Sequence, residues 1–375
     1  MFKRLIILTL ILCLSQFKVY AISASSAVLI DADTGRILYE KNAYEKRGMA
    51  STTKIMTAII ALENSNPDQI AEVSYNAAST EGSSMYLNSG EKIRMESLVY
   101  GLMLNSGNDA ATAIAENLSG STEEFAKLMN AKAAEIGMKD TSFSNPHGLD
   151  NENHYSTAYD MAKLAQYAMK NETFRQIVST KRKSVELNGA ENSRYLTNHN
   201  KLLSLYQYCI GIKTGFTKSC GRCLVSAAQK DGTVLIAVTL NAPDDWNDHI
   251  TMYEEAFENY RKYDIIKKNS YICSVKATGT YDDTLKLYAK EGISLSLKDD
   301  EYSKIKLSYD YPAEAEAPIY KGQVIGKLSV LIDGKEIAST ELITQYGAEK
   351  IVKTKYTDKL NYLFTDLISL FFRSV

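Results

Sequence analysis

Two residues that can carry out nucleophilic catalysis together, Ser51 and Lys54, lie three positions apart near the start of the chain. A serine hydroxyl is a weak nucleophile at neutral pH and needs an adjacent base. Lys54 can be that base only if burial or a second nearby cation lowers its pKa. The apolar residues that follow have helical spacing, which predicts a helix with Ser51 at its N-terminus and Lys54 on the same face. Backbone N–H groups at such a terminus favour developing negative charge.

This pair is weak evidence by itself, because the same Ser-x-x-Lys spacing recurs at Ser89 and Ser303 without any supporting feature. The alternative is purely structural. Ser51 would then cap the helix, and Lys54 would be a solvated lysine of its first turn. Two stretches further along the chain decide between these interpretations.

The second stretch is a break between two predicted helices. Apolar spacing predicts one helix over residues 95–104 and another from about residue 109, which leaves Ser106 and Asn108 on a tight turn. Taken alone, this turn is better explained as a plain connection with Asp109 as the helix N-cap.

The third stretch, Lys213-Thr214-Gly215, lies in a predicted strand over residues 210–217. Lys213 would supply the second cation that Lys54 needs, and a glycine at position 215 allows another backbone to approach closely.

The elements that must position these residues alternate in type along the chain. Two strands joined by a turn at residues 33–35 come first, then mainly helices, then three strands and a closing helix. We therefore expect one sheet that brings both ends of this region together. The predicted strands are 26–32, 36–40, 210–217, 223–229 and 233–240; the predicted helices are 95–104, 109–118, most of 122–180, and 246–260.

Length and composition predict a protein of two domains, and the first residues predict that it is exported. The chain has 375 residues, 45% of them hydrophobic, and a net charge of −2, which gives no electrostatic case for nucleic-acid binding. Residues 1–21 combine a basic start, a short apolar run and small residues before a cleavage site, so we expect a signal peptide cleaved after Ala21, with Ala24 as the alternative site. An uncleaved membrane anchor remains an alternative.

The C-terminal third has a different pattern. Alternating residues over 263–348 predict a small all-β domain, with Asp333-Gly334 as a hairpin turn. Residues 349–375 combine four lysines with an amphipathic helical pattern, and we expect this helix to lie on the membrane surface. The alternative is a terminal helix packed on its own domain.

The remaining polar candidates point to no cofactor and no metal. Cys220 and Cys223 have C-x-x-C spacing, but no second pair at ligand spacing accompanies them, so we expect two ordinary strand residues. His147 and His154 are better explained as loop and capping residues than as catalytic ones, since nothing pairs them with a nucleophile.

With all three stretches in view, the chain resembles the penicillin-recognising serine D,D-carboxypeptidases, the type-5 low-molecular-mass penicillin-binding proteins. The three stretches match the family's S-x-x-K, S-x-N and K-T-G motifs in order. The flanking stretches that also resemble the family are Met85-Tyr86-Leu87, 144–149, 211–217 and 317–323.

The resemblance implies an α+β fold, an antiparallel five-stranded sheet with helices on its faces, in residues 22–262. It also implies release of the terminal D-alanine from peptidoglycan pentapeptides at the outer face of the cytoplasmic membrane, with β-lactams as inhibitors. The implied catalytic residues are Ser51 as nucleophile, Lys54 as base and Ser106 as proton relay. The implied substrate-binding residues are Asn108, Lys213, Thr214, Gly215 and Phe216, the last with Ser51 in the oxyanion hole.

One departure concerns recognition of the substrate carboxylate. Family members often carry an arginine just after the last strand, but residues 244–249 contain none, so Arg222 or Lys213 would have to substitute. The rival functions are a class A β-lactamase, whose E-x-x-L-N pattern we do not find before Lys213, and a non-catalytic envelope protein that binds peptidoglycan or penicillin.

Overall fold

The computed structural model describes residues 21–186, 193–351, 360 and 362–368. The chain divides into two compact units between Tyr260 and Arg261. The predicted signal peptide, apart from Ala21, lies outside the described residues.

The first unit begins with two strands and ends with three strands and a helix, as predicted, and the mainly helical region between them also contains short strands. In chain order its strands are β1 (Ser26–Asp31), β2 (Ile37–Lys41), β3 (Ile70–Glu72), β4 (Lys92–Arg94), β5 (Arg182–Glu186), β6 (Ser193–Thr197), β7 (Cys209–Thr217), β8 (Gly221–Lys230) and β9 (Thr233–Leu240). Its helices are α1 (Lys54–Asn64), α2 (Tyr75–Ala78), α3 (Met95–Leu104), α4 (Asn108–Ser119), α5 (Thr122–Ile136), α6 (Ala158–Ala168), α7 (Glu172–Ser179), α8 (Leu202–Leu205) and α9 (Asp245–Asn259).

The main sheet has five antiparallel strands in the order β2-β1-β9-β8-β7. β1 pairs with β9, so the first and last strands of the unit meet inside the sheet, as predicted. The hairpin between β8 and β9 turns at Asp231 and Gly232, whose φ angles of 49° and 78° fit a type I′ turn. β7 forms one edge of this sheet. The predicted α+β fold with a five-stranded antiparallel sheet is confirmed.

Two apolar cores lie on opposite faces of this sheet, because alternate residues of a strand face opposite sides. On β8, Val225 and Ala227 join the larger core with α1, α3, α4 and α6, whereas Leu224 and Ala228 join a smaller core with α9. The first eight of the eleven residues of α1, 54–61, are buried, so its N-terminus is enclosed by the core.

Two local features differ from the prediction. The α-helix begins at Lys54, and Ser51 lies in a preceding 3-10 turn, Ala50–Thr53. The β5–β6 hairpin was not predicted, because only Val185 and Leu196 of its described residues are buried, and its charged residues give no alternating apolar pattern.

The second unit is the predicted all-β domain. Its elements are β10 (Arg261–Ile266), β11 (Tyr271–Thr278), β12 (Thr284–Ala289), β13 (Ile293–Leu297), α10 (Asp299–Tyr302), β14 (Ile305–Asp310), β15 (Glu314–Glu316), β16 (Val324–Ile332) and β17 (Lys335–Thr344). Six of these strands form a sheet in the order β14-β16-β17-β12-β11-β15. The predicted hairpin turn at Asp333 and Gly334 joins β16 to β17, with both φ angles positive.

The predicted C-terminal helix lies largely outside the described residues. Residues 360 and 362–368 are helical, and their Leu, Phe and Ile side chains are exposed. In the part of the chain that the structure describes, no helix has both the length and the apolar character needed to cross a bilayer.

Candidate active site

The site is built around the amino group of Lys54, which is completely buried at the start of α1. Its Nζ lies 2.9 Å from Ser51 Oγ, 2.7 Å from Asn108 Oδ1 and 2.7 Å from the carbonyl oxygen of His147. Burial lowers the pKa of Lys54 well below its ordinary value, and the charge of Lys213 lowers it further. In the neutral amine, the two N–H groups can be donated to the Asn108 and His147 oxygens, which leaves the lone pair for the Ser51 hydroxyl.

The backbone around Ser51 is held in an unusual conformation from two sides. Ala50 has a φ of 48°, which costs free energy in a non-glycine residue and requires support from its surroundings. A Cβ atom at Gly148 would lie 2.0 Å from the Ala50 carbonyl oxygen, and one at Gly215 would lie 3.0 Å from the Ser51 nitrogen. Because both residues are glycines, the 144–150 loop and strand β7 can pack in direct contact with the backbone that carries Ser51.

The turn between α3 and α4 provides Ser106 and Asn108. Ser106 is buried with a φ of 58°, and Asn108 is fixed by hydrogen bonds from its side-chain amide to Glu81 O and from its backbone N–H to Ser83 O, both 2.6 Å. The side-chain carbonyl of Asn108 is thereby oriented toward Lys54.

The alternative role of Asp109 as a helix N-cap is wrong, because the N-cap of α4 is Gly107. Instead, the buried Asp109 carboxylate accepts hydrogen bonds from the backbone N–H groups of Met85 and Leu87 and from the Ser84 hydroxyl. It holds the loop that packs beside the α3–α4 turn. The sequence analysis missed this role, since a buried carboxylate on a loop is not distinguishable from a capping one without the fold.

Strand β7, at the edge of the sheet, contains Lys213-Thr214-Gly215. Lys213 is buried, its Nζ donates to the Thr214 carbonyl oxygen at 2.9 Å, and burial lowers its pKa to about 7. Residues Lys213 and Gly215 face the core with α1, whereas Thr214 and Phe216 project from the opposite side of the strand. The strand thus brings Lys213 into electrostatic range of Lys54.

A cavity of about 340 Å³ opens where these elements meet. Of the predicted site residues, five line it directly, while Lys54, Asn108 and Lys213 are buried around it. The cavity is lined by Ser51, Ser83, Ser106, His199, Lys201, Thr214, Gly215, Phe216, Arg222, Asp245 and Trp246. The structure therefore brings together all the predicted site residues.

A larger cavity of about 610 Å³ is lined in part by Met49 and Ala50, but Ser51 does not line it. His154 lines this second cavity and has a structural role. Its Nδ1 accepts from the Ser144 N–H, so in the neutral ring Nε2 carries the proton and donates to Thr53 Oγ1 at 2.7 Å.

The histidines fit the structural interpretation. The expectation of two strand cysteines is wrong for Cys220, which lies in the turn between β7 and β8, whereas Cys223 lies in β8. Burial lowers the pKa of His154 to about 4 and that of His147 to about 3, so both rings are neutral at pH 7. His147 contributes its carbonyl oxygen, not its ring, to Lys54. Cys209, Cys220, Cys223 and Cys273 are free thiols.

Comparison with known proteins relates most of the chain to one family. Residues 15–244 match the peptidase S11 family, described as D-alanyl-D-alanine carboxypeptidase, and residues 260–350 match the C-terminal domain of penicillin-binding protein 5. The chain is 37% identical to D-alanyl-D-alanine carboxypeptidase DacF of Bacillus subtilis over 336 residues, covering 87% of this chain and 86% of that protein. It is 30% identical to DacC of Escherichia coli over 346 residues, covering 88% and 85%.

Solved structures agree with this relation. Penicillin-binding protein 5 from Haemophilus influenzae superposes with a TM-score of 0.76 at 28% identity, covering 88% of this chain and 98% of that one. The Streptomyces K15 DD-transpeptidase has a TM-score of 0.60 at 35% identity, covering 64% of this chain and 98% of that one.

Proposed function

Because the chain belongs to the D-alanyl-D-alanine carboxypeptidase (peptidase S11) family, we propose that it releases the terminal D-alanine of peptidoglycan pentapeptides through an acyl-enzyme on Ser51. The observation that carries this mechanism is the 2.9 Å contact between Ser51 Oγ and the buried Lys54 Nζ. Burial keeps this amine able to accept a proton near neutral pH, which a solvated lysine cannot do.

In the acylation step, Ser51 Oγ bonds to the penultimate D-alanyl carbonyl carbon while its proton passes to Lys54. The carbonyl oxygen becomes an oxyanion, which the backbone N–H groups of Ser51 and Phe216 stabilise. The oxyanion re-forms the carbonyl as the C–N bond breaks, and the proton held by Lys54 passes through Ser106 to the leaving D-alanine amine, with help from Lys213. Lys54 is then neutral again. Asn108 fixes Lys54 throughout and binds the substrate amide.

In the second step, water attacks the ester carbonyl carbon, and Lys54 is the group placed to take the proton from that water. The ester C–O bond breaks, Ser51 recovers its proton, and the shortened peptide leaves as a carboxylate. A β-lactam would form the same ester with Ser51, but its opened ring stays attached.

The proposal is tested by incubating the purified protein with a pentapeptide that ends in D-alanyl-D-alanine and measuring free D-alanine. The wild type should release D-alanine, and Ser51→Ala should release none. Benzylpenicillin should add the mass of one ring-opened drug at Ser51. An adduct on another residue would overturn the mechanism, and rapid turnover of benzylpenicillin without peptide cleavage would identify a β-lactamase.

The role of Lys54 is tested separately with Lys54→Met, which keeps the length and burial of the side chain. Loss of a general base should slow acylation by about 10²- to 10⁴-fold. The matched control Lys127→Met changes an exposed lysine of α5 and should acylate normally. Near-normal acylation of Lys54→Met would assign the base to another residue.

We also propose that the protein is exported and works at the outer face of the cytoplasmic membrane, held there by its C-terminal segment. Leu363, Phe364 and Leu367 are helical and more than half exposed, which suits an apolar face laid into a lipid interface. Lysines in the preceding residues add attraction to anionic lipid that salt weakens.

Vesicle co-sedimentation tests this attachment with the full chain. We expect binding to anionic vesicles at low salt, and loss of binding on Leu363→Glu combined with Leu367→Glu. Thr365→Glu places the same kind of charge on the polar side and should bind more strongly than the double variant. Equal binding by all three proteins would mean that this segment does not contact lipid.

A further inference from the structure

Arg222, Asp245 and Trp246 form a cluster in the wall of the cavity beside Ser51, and the mechanism above does not use it. Arg222 Nε and Nη2 both donate to Asp245 Oδ1, at 3.0 and 2.7 Å, and the guanidinium carbon lies 5.5 Å from the centre of the Trp246 ring. The Asp245 side chain is only 3% exposed and also accepts from the Trp246 N–H. The aspartate is therefore fixed, and it fixes the arginine.

The two bonds to Asp245 use the Nε–Nη2 edge of the guanidinium. The end-on edge, formed by Nη1 and Nη2, keeps N–H donors in the spacing that matches the two oxygens of a carboxylate. Arg222 is directly opposite Phe216 in the β7–β8 register, so both side chains project from the same face of the sheet. This register places the arginine next to the strand that carries Thr214.

Two other cations near the cavity are less suited to bind an anion. Lys213 is buried with a pKa of about 7, so about half of its amines are neutral at that pH. Lys201 is exposed, and a flexible exposed lysine loses side-chain entropy when it binds and has no planar pair of donors. Arg222 is always charged and is already held in one orientation.

We infer that Arg222, held by Asp245 and Trp246, is the specificity-determining residue that binds the C-terminal carboxylate of the substrate. This inference rests on the proposed function and deepens it. It explains how a chain without an arginine at residues 244–249 selects peptides with a free C-terminus: the charge comes from β8, and the first turn of α9 supplies the support.

Binding can be measured without turnover, because Trp246 is the single tryptophan of the chain and lies in the cavity wall. In a Ser51→Ala background, we would titrate a peptide ending in D-alanyl-D-alanine and the same peptide ending in D-alaninamide, and follow tryptophan fluorescence. The acid should bind about ten- to a hundredfold more tightly than the amide, the range expected of a charge-assisted hydrogen-bond pair.

Adding Arg222→Ala should bring the acid and the amide to similar affinities, and Arg222→Lys should restore part of the difference. Arg94→Ala is the matched control, because the Arg94 side chain is 42% exposed against 41% for Arg222 and also pairs with an aspartate. It should keep the full preference for the acid.

The inference is overturned if Arg222→Ala keeps the preference for the acid, or if Lys201→Ala removes it. Circular dichroism and thermal unfolding of Arg222→Ala, compared with the wild type, show whether that variant is folded. D-alanine release by the wild type is measured independently. Its absence would overturn the proposed function, whereas release together with an unchanged preference in Arg222→Ala would overturn only the role of Arg222.

Discussion

At the scale of single residues, the candidate site contains two lysines whose amino groups are buried away from water. Lys54 and Lys213 are both buried, and the charge of Lys213 makes the charged form of Lys54 less favourable. Each lysine opposes folding while it is charged, and its neutral form can accept a proton. This arrangement has a measurable effect on stability.

We predict that Lys213 makes the stability of the protein rise with pH between about pH 7 and 10. Above a folded-state pKa of about 7 the folded protein holds a neutral amine, whereas the unfolded chain keeps the proton up to an ordinary pKa of 10.5. The unfolded state then binds more protons, so the free energy of unfolding increases with pH, by at most about 1.4 kcal/mol per pH unit. Lys213→Met should lack this contribution.

The measurement is urea unfolding of the wild type and Lys213→Met at several pH values in this range. The difference in unfolding free energy between the two proteins should change steadily in favour of the wild type as the pH rises. A constant difference would show that Lys213 is not held in its neutral form.

The sequence was sufficient to identify these residues but not their environment. The order of Ser51, Asn108 and Lys213 could be seen in the motifs, because the residue types themselves carry the chemistry. The positive φ of Ala50 and the carbonyl of His147 as a lysine partner could not be predicted, since both depend on contacts between distant segments. Trp246 was predicted only as part of a closing helix.

At the scale of elements, the 144–150 loop and strand β7 both pack closely against the 3-10 turn that carries Ser51. The apolar patterns of α3 and of strands β7 to β9 made the bounds of these elements predictable from the sequence. The β5–β6 hairpin was not predictable in the same way, because Arg194 is fixed by polar contacts with Glu91 and with the Tyr86 carbonyl oxygen. Such contacts leave no pattern in the sequence.

We predict that Gly148→Ala abolishes acylation of Ser51. The added methyl group would lie 2.0 Å from the Ala50 carbonyl oxygen, and φ at this position is +91°, so the turn with Ser51 must move. Gly120→Ala is the control: its φ is +80°, but the space around it is open, so only backbone strain of about 1 to 2 kcal/mol is expected.

Both variants should be compared by thermal unfolding and by the rate of benzylpenicillin adduct formation. Gly120→Ala should lose stability but acylate at the wild-type rate, whereas Gly148→Ala should fail to acylate. Normal acylation by Gly148→Ala would mean that the loop yields and does not position the turn.

At the scale of the whole molecule, the candidate site lies entirely within the first compact unit, which ends at Tyr260. The Streptomyces K15 enzyme, which matches only 64% of this chain, shows that a related fold exists at this shorter length. We predict that a chain of residues 22–260 folds and is acylated by benzylpenicillin at a rate similar to that of the full chain. A folded but unreactive fragment, judged by circular dichroism and adduct mass, would show that the second unit is needed for the chemistry.

The pairing of β1 with β9 also sets when the candidate site can be completed as the chain folds. The ribosome makes Ser51 and Lys54 early, but Gly148, Lys213 and Gly215 follow much later, and the sheet that holds them closes only after residue 240. A partly folded chain therefore carries Ser51 without the residues that surround it in the folded site. If penicillin acylates Ser51 as proposed, attachment of a labelled penicillin would report the moment at which the last strand is in place.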